Sequence, residues 1–528
     1  MALIGYVSDE RFVALADVAV EIAANGAVQT VDSTASGAIH ADLPTGPYRV
    51  TLAKAGYGSK WVDLQPGDRT PHQFRLLPDR ILGYARPKWI RSGERGEICL
   101  HSPEAVRLSL RRYGREVGPE LLIGWLDEHG PRAMVQVSPD GDYTQGGVAW
   151  NRQGYANPAY RTMVTAPERS GLYYFHAQGE SGAFFSFPWV VAPARPHAPI
   201  AVLAATNTWA AYNNFGGRSN YINAARLPVT PTVVARLEMP RYQQGAFSEH
   251  HAPDSEYAPL SFERPEPLNQ VLQDEQPTDP IRGRQTCHLA PAEWRLLSWL
   301  EREGYEYDLY ADAQLHNGTL DLDRYQVLVV STHPEYWSRD MFRAVQRWVF
   351  ERGGRLLYLG GNGLDCEVEF LDGPALRFLT QDPAPGAGYD NRMHRTFASS
   401  ASLLGLVFTD AGAMTGAPYE VLAADHWLFA DTGLWNGDRF GFSSLSERCP
   451  GGASGHETDK TTPQTPPQAR ILARGLNPDH GGAELVCFET GAGSLVVSVG
   501  SITWGAALLI DEGVSRITRN ALDRALSR

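Results

Sequence analysis

The residues equipped for chemistry fall at the ends of short apolar runs. After YQVLVVST (325–332) comes His333-Pro-Glu335-Tyr-Trp-Ser338, which sets an imidazole and a carboxylate on a strand-to-helix turn. After IAVLAAT (200–206) comes Asn207-Thr-Trp-Ala-Ala-Tyr212-Asn213-Asn214-Phe-Gly216-Gly217, read as one loop crowded with aromatics and amides, whose glycine pair allows close backbone approach. After RLLYLGG (355–361) comes Asn362, flanked by glycines. Farther along, Gly455-His456-Glu457-Thr-Asp459 places another acid in a glycine-rich loop, and Tyr257 stands in SEYAPLSFERPEP. Each has a plain alternative. Trp209 and Tyr212 suit a packed turn, Glu335 an acid drawn to a helix N-terminus, Asn362 a left-handed turn, and Glu457 an exposed loop. The coincidence favours chemistry, because ligands of open α/β sheets bind outside the carboxyl ends of the strands and catalysis needs converging groups.

The elements that must position these residues alternate strand and helix after Pro199. IAVLAAT, YEYDLYAD, YQVLVVST and RLLYLGG read as strands. AEWRLLSWLEREG (292–304) and SRDMFRAVQRWVFERGG (338–354) read as amphipathic helices stopped by glycine, the second with Ser338 as N-cap. Irregular text begins near EVEFLDG and gives way to a hairpin, AELVCFETGAGSLVVSVGS, and a terminal helix around RITRNALDRAL. Two stretches of short alternating runs precede all this. The expected organisation is a β-sandwich over 1–80, a second over 81–195, and an α/β domain with a mostly parallel sheet over 196–528.

Composition narrows the partners. Sixty acidic residues against 47 basic give a formal charge of −13, which argues against nucleic acid and anionic membranes. No apolar run has the roughly 20 residues a bilayer crossing needs, and no secretory leader is visible. Five scattered cysteines without a CxxC indicate neither a disulfide framework nor a thiolate zinc site, so a cytoplasmic, reduced protein is expected. HExxH, GxSxG, the P-loop and GxGxxG after a strand are all missing.

Taken in order, NTWAAYNNFGG, SFERP, STHPEYWS, LGGNG, GHETD and SLVVSVGSITW resemble the N,N-dimethylformamidase large-subunit family over about residues 199–528. GPYRVTLAKAGYGSKWVDLQPGD resembles a carboxypeptidase regulatory-like module, where the family's large subunit carries a longer amino-terminal region. The family resemblance implies a class I glutamine amidotransferase-like fold, although no cysteine stands at the elbow near His333. It also implies a mononuclear Fe(III) held by two tyrosines and a glutamate. Tyr212 matches the first tyrosine and Glu335 the carboxylate; the second tyrosine falls best on Tyr257, with Tyr221 and Tyr242 as alternatives. His333, Asn362 and Glu457 match positions lining the family's active site. Hard phenolate and carboxylate oxygens suit Fe(III), which would polarise an amide carbonyl while water attacks, with Glu457 as base and His333 and Asn362 stabilising the oxyanion or placing the water. The implied partners are a small amide substrate, further copies of the chain and a small companion subunit. The rival readings are a carbohydrate- or ligand-binding protein with an inactive α/β domain, and glycoside hydrolysis by Glu335 and Glu457.

Overall fold

A computed structural model describes residues 2–527 apart from 43–44, 59, 69–70, 116–120, 127–160, 218, 222–228, 234–258, 271–277, 280–283, 286, 373 and 380–387. Tyr242 and Tyr257 lie outside the described residues. β-structure dominates, in several sheets, and helices are few.

The amino-terminal alternation does what a period of two requires. In Tyr48–Ala53, Tyr48, Val50 and Leu52 are buried while Arg49 is exposed. This strand joins Ala19–Ala24, Ala27–Asp32 and Lys60–Leu64 in one sheet, and Ala2–Ser8, Ala38–Ala41 and His72–Arg75 form another. Their inner faces meet over Ile4, Val7, Val20, Val50 and Phe74. A second pair of sheets, spanning Leu82 to Ala192, encloses Ile98, Leu108, Phe175, Phe187 and Trp189.

The sheet that serves the site is built from β1 (Ile200–Ala204), β2 (Tyr307–Ala311), β3 (Val327–Thr332), β4 (Arg355–Gly360), β5 (Tyr419–Val421), β6 (Arg439–Phe440), β7 (Arg470–Gly475), β8 (Glu484–Glu489) and β9 (Leu495–Ser498). Among the described residues its order is β2-β1-β3-β4-β9-β8-β7-β5-β6. The neighbours from β2 to β9 run parallel; those from β9 to β6 run antiparallel. The sheet is therefore mixed rather than mostly parallel. The reversal follows from local geometry, because the tight turn at Gly491–Gly493 joins β8 to β9 as a hairpin.

The parallel strands are buried on both faces and so read as continuous apolar runs. Val327, Val329 and Leu357 face one core with Leu296, Trp299 and Ile517; Leu328, Val330 and Leu356 face the other with Phe342, Val345 and Trp348. The helices supplying those residues are α2 (Ala290–Glu303), α4 (Arg339–Arg352) and α5 (Glu512–Leu526), while two short ones, α1 (Thr206–Tyr212) and α3 (Asp312–His316), follow β1 and β2. Gly304 and Gly353 close α2 and α4 at φ of 84° and 74°, and Ser338 caps α4 by accepting the Met341 N–H at 3.3 Å.

Two further expectations change. Residues 206–212 form a helix, not a loop: alone, seven residues would not hold a helix, but every one of them is buried against tertiary partners. The text near EVEFLDG is a strand, Cys366–Leu371, paired antiparallel with Ala375–Leu379 and parallel with Tyr336–Trp337. All five cysteines are buried, and none is joined in a disulfide among the described residues. Among the described residues no helix is long and apolar enough to cross a membrane. Replacing Ser338 by alanine is expected to cost about 1 kcal/mol and by aspartate much less, read from denaturant midpoints.

Candidate active site

The carboxyl ends of β1, β3 and β4 meet. Beyond β3, the turn His333-Pro334-Glu335 is fastened to α1: Thr208 Oγ1 donates to the His333 carbonyl at 2.8 Å and accepts the Glu335 N–H at 3.2 Å. Asn207 Nδ2 donates to the Tyr336 carbonyl at 3.0 Å. Two buried carboxyls hold α1 in turn. Asp312 accepts the Asn207 N–H at 2.8 Å, and Glu293 accepts the Ala205 N–H at 3.0 Å and the Trp209 Nε1–H at 2.8 Å.

So held, α1 ends with Tyr212 aimed at Glu335, and its hydroxyl donates to Oε2 at 3.1 Å. The hydroxyl of Tyr221 approaches the other carboxylate oxygen, Oε1, at 3.4 Å and lies 2.6 Å from the Tyr336 hydroxyl, which also receives Asn220 Nδ2 at 3.2 Å. Glu335 is thus not an acid at a helix N-terminus, since α4 begins four residues on and has Asp340 in its first turn.

His333 is buried with Nε2 between two carboxylates, 3.2 Å from Glu335 Oε2 and 3.1 Å from Glu457 Oε2. Burial alone would push this imidazole down, but Glu457 and Glu335 more than offset it and hold it up at about 10. Burial would raise Glu457; the charge and hydrogen bond of His333, the charge of His456 and the amide of Asn362 outweigh that and keep it below the usual carboxylate range. Asn362 Nδ2 donates to Glu457 Oε2 at 2.9 Å. Asn362 is also left-handed, with φ of 50°, as a turn residue would be.

Glu457 is not an exposed loop acid, for its side chain is only 13% exposed. Asp459, two residues on, draws the loop inward by accepting the Asn362 N–H at 2.8 Å and the Tyr358 hydroxyl at 2.7 Å. Gly361 permits this contact: a Cβ there would stand 2.5 Å from the Glu457 carbonyl oxygen.

Tyr212, His333, Glu335, Asn362 and Glu457, singled out in the sequence, are therefore neighbours, and Tyr221 joins them. Tyr257 and Tyr242 fall outside the described residues. Sequence reasoning missed His288, whose Nδ1 lies 2.8 Å from His333 Nδ1 and whose ring packs on Tyr212 at 4.6 Å. It stands just before α2, away from any strand end, so no pattern marked it. Asp365 and Cys366 were also missed; with Glu335 they place three potential ligand atoms within 4.8 Å of one another. The donor set around Glu335, two phenol oxygens and a carboxylate, has the hard chemistry that a trivalent cation prefers, so the residues present fit the ferric ion implied by the family.

The buried acids behind the site give stability a pH dependence. Burial pushes Asp312 up to about 8 and Asp459 up to about 7, against an ordinary value of 3.8. Their contribution is complete below pH of about 4, where both are protonated folded or unfolded, and is lost as pH rises through about 7 and 8. The melting temperature is expected to fall between pH 5 and 8.5, and Asp312→Asn to flatten that fall; an unchanged profile in the variant would remove Asp312 as its source.

The family model for the N,N-dimethylformamidase beta subunit-like, C-terminal region matches residues 123–516. The N,N-dimethylformamidase beta subunit of Paracoccus aminophilus is 26% identical over 283 residues, and that of an Alcaligenes species 25% over 285. Each alignment covers 44% of this chain and 36% of the relative, so the chain spans about a third of the length of those proteins. A putative carbohydrate-binding protein from Bacteroides uniformis aligns over 35% of this chain and 96% of its own, at 13% identity and a TM-score of 0.13, a level that bears on neither fold nor function. With well over half its length matched by the model, the chain belongs to the N,N-dimethylformamidase beta subunit-like, C-terminal family.

Proposed function

We propose that the chain hydrolyses the C–N bond of a small N-substituted amide or formamide, with a mononuclear ferric ion held by Tyr212, Glu335 and a second tyrosine. The observation that carries the reading is the approach of two phenol hydroxyls to the two oxygens of Glu335, at 3.1 and 3.4 Å, beside a second carboxylate and an imidazole. The second tyrosine is Tyr257 by sequence position and Tyr221 by its approach to Glu335. The parallel half of the sheet is the part a class I glutamine amidotransferase-like architecture would supply. Since the relatives are named as beta subunits, a small companion subunit and an assembly of several copies, working in the cytoplasm, belong to the same proposal.

Bound there, the ferric ion would supply Lewis-acid polarisation of the amide carbonyl and keep the phenols ionised far below their free value of about 10. The chain's own groups do the rest. Glu457, kept ionised by His333, accepts a proton from the attacking water, and Asn362 Nδ2 fixes the carboxylate that receives it. His333, whose Nε2 faces both carboxylates, presents Nε2–H to the oxygen of the tetrahedral intermediate. As the C–N bond breaks, the proton on Glu457 passes to the departing nitrogen, releasing an amine and a carboxylic acid.

Purified protein is expected to carry about one iron per chain and a phenolate-to-metal visible band. Tyr212→Phe and Glu335→Ala should lose both, and comparing Tyr221→Phe with Tyr257→Phe identifies the second phenol. Glu457→Gln should keep the iron and lose turnover by about 10²-fold or more. Full turnover in Glu457→Gln would exclude it as the base. A wild type that stays colourless and iron-free after reconstitution would overturn the ferric reading in favour of a ligand-binding protein.

A further inference from the structure

The turn that joins Tyr212 to Tyr221 is anchored from outside the sheet it serves. The chain leaves α1 through Asn213 and reverses at Phe215–Gly217, with Gly216 at φ of 76°, a conformation that suits glycine. A helix end leaves its last carbonyls without partners inside the helix. Here a guanidinium takes one of them and two more just beyond the helix. Arg264, 1% exposed, donates from Nη2 to the carbonyls of Asn213 at 2.9 Å and Ala210 at 3.4 Å, and from Nη1 to that of Phe215 at 3.2 Å. Asn213 Nδ2 returns a bond to the Pro265 carbonyl at 2.9 Å.

Both amino-terminal sandwiches grip the same turn. The Phe215 side chain is buried in the core of the second, with Phe187 and Trp189. From the first, Arg75 at the end of His72–Arg75, also 1% exposed, donates Nη1 to the Gly216 carbonyl at 3.4 Å. Beyond Tyr221 the first sandwich takes hold again: Thr232 N–H donates to the Phe12 carbonyl at 3.0 Å, and Ala14 N–H to the Thr232 carbonyl at 2.8 Å. Described residues on both sides of Tyr221 in sequence, Gly216 and Thr232, therefore bond to the first sandwich.

A guanidinium is costly to bury unless its hydrogen bonds are made, and the carbonyl end of a helix is where a cation is best received. Two buried arginines on one seven-residue stretch of carbonyls, 210–216, are more than chain reversal requires, since Gly216 already allows the turn. Their effect is to fix where the two phenols stand.

We propose that Arg264 and Arg75 are positioning residues for the Tyr212–Tyr221 pair, and that the two amino-terminal sandwiches are thereby built into the active site rather than appended to it. The inference rests on the reading of Tyr212 and Glu335 as metal ligands. It predicts that a change in the first sandwich, remote from the chemistry, alters the metal site.

The test uses the full chain, with Arg75→Met, Arg264→Met and Arg264→Lys. Three quantities are compared with wild type: iron affinity by competition with nitrilotriacetate, the position of the visible band, and hydrogen exchange of the metal-free protein over residues 206–221. Arg75→Met and Arg264→Met, with far-UV circular dichroism like wild type, should bind iron about tenfold more weakly, as the loss of a charge-assisted hydrogen bond would produce. The band should shift and residues 206–221 should exchange faster, while Arg264→Lys, which keeps the charge, should recover part of each. Wild-type affinity, band and exchange in both methionine variants would overturn the proposal. If Arg264→Met does not fold, Arg75→Met decides. If wild type takes up no iron, the ferric reading fails, and unchanged exchange at 206–221 would still overturn the positioning claim while faster exchange would sustain it.

Discussion

A carboxyl group taken out of water needs polar partners beside it, and here two of them, Glu335 and Glu457, share one imidazole edge. The phenol of Tyr212 donates a hydrogen bond to the first and the amide of Asn362 one to the second. Nearby, Asp365 is better served, since Arg392 donates to it at 3.1 Å. The result is a buried pocket of hard oxygen atoms gathered around one imidazole.

The architecture divides the work of holding that cluster. Parallel strands with polar carboxyl ends bring His333, Glu335 and Asn362 into reach, and α1, clasped by Glu293 and Asp312, adds Tyr212. The second carboxylate comes from irregular chain rather than from a strand end of that half. Glu457 sits between Ser454–Gly455, paired with Gly416–Ala417, and Thr458–Lys460, paired with Val407–Thr409. Short bridges of this kind fix a loop because each end is pinned within two or three residues of the functional side chain.

Much of this was legible before any coordinates, and the physical reason differs from one residue to the next. Val327–Thr332 and Arg355–Gly360 announce themselves because strands buried on both faces leave no polar interruption, so the first polar residue after them marks the strand end. His333, Glu335 and Asn362 were found that way. α1 was misread because its helicity comes from Asp312, more than 100 residues away in sequence, and not from its own propensity. The antiparallel half was largely missed because β5 and β6 are three and two residues long, too short to show a period. His288 was invisible for a related reason: its partner His333 is 45 residues distant and nothing local distinguishes it.

The five thiols described above have a practical consequence. Each is a buried thiol outside any disulfide, so a thiol-specific reagent can meet one only when the surrounding structure opens. Four of them sit in different parts of the chain's fold. Cys99 lies in the core of the second sandwich, Cys487 on an antiparallel strand of the large sheet, Cys366 beside Glu335, and Cys287 3.7 Å from His456. Labelling rates resolved by residue would therefore act as built-in clocks for the separate breathing of sandwich, sheet and pocket, with no substitution needed to install them.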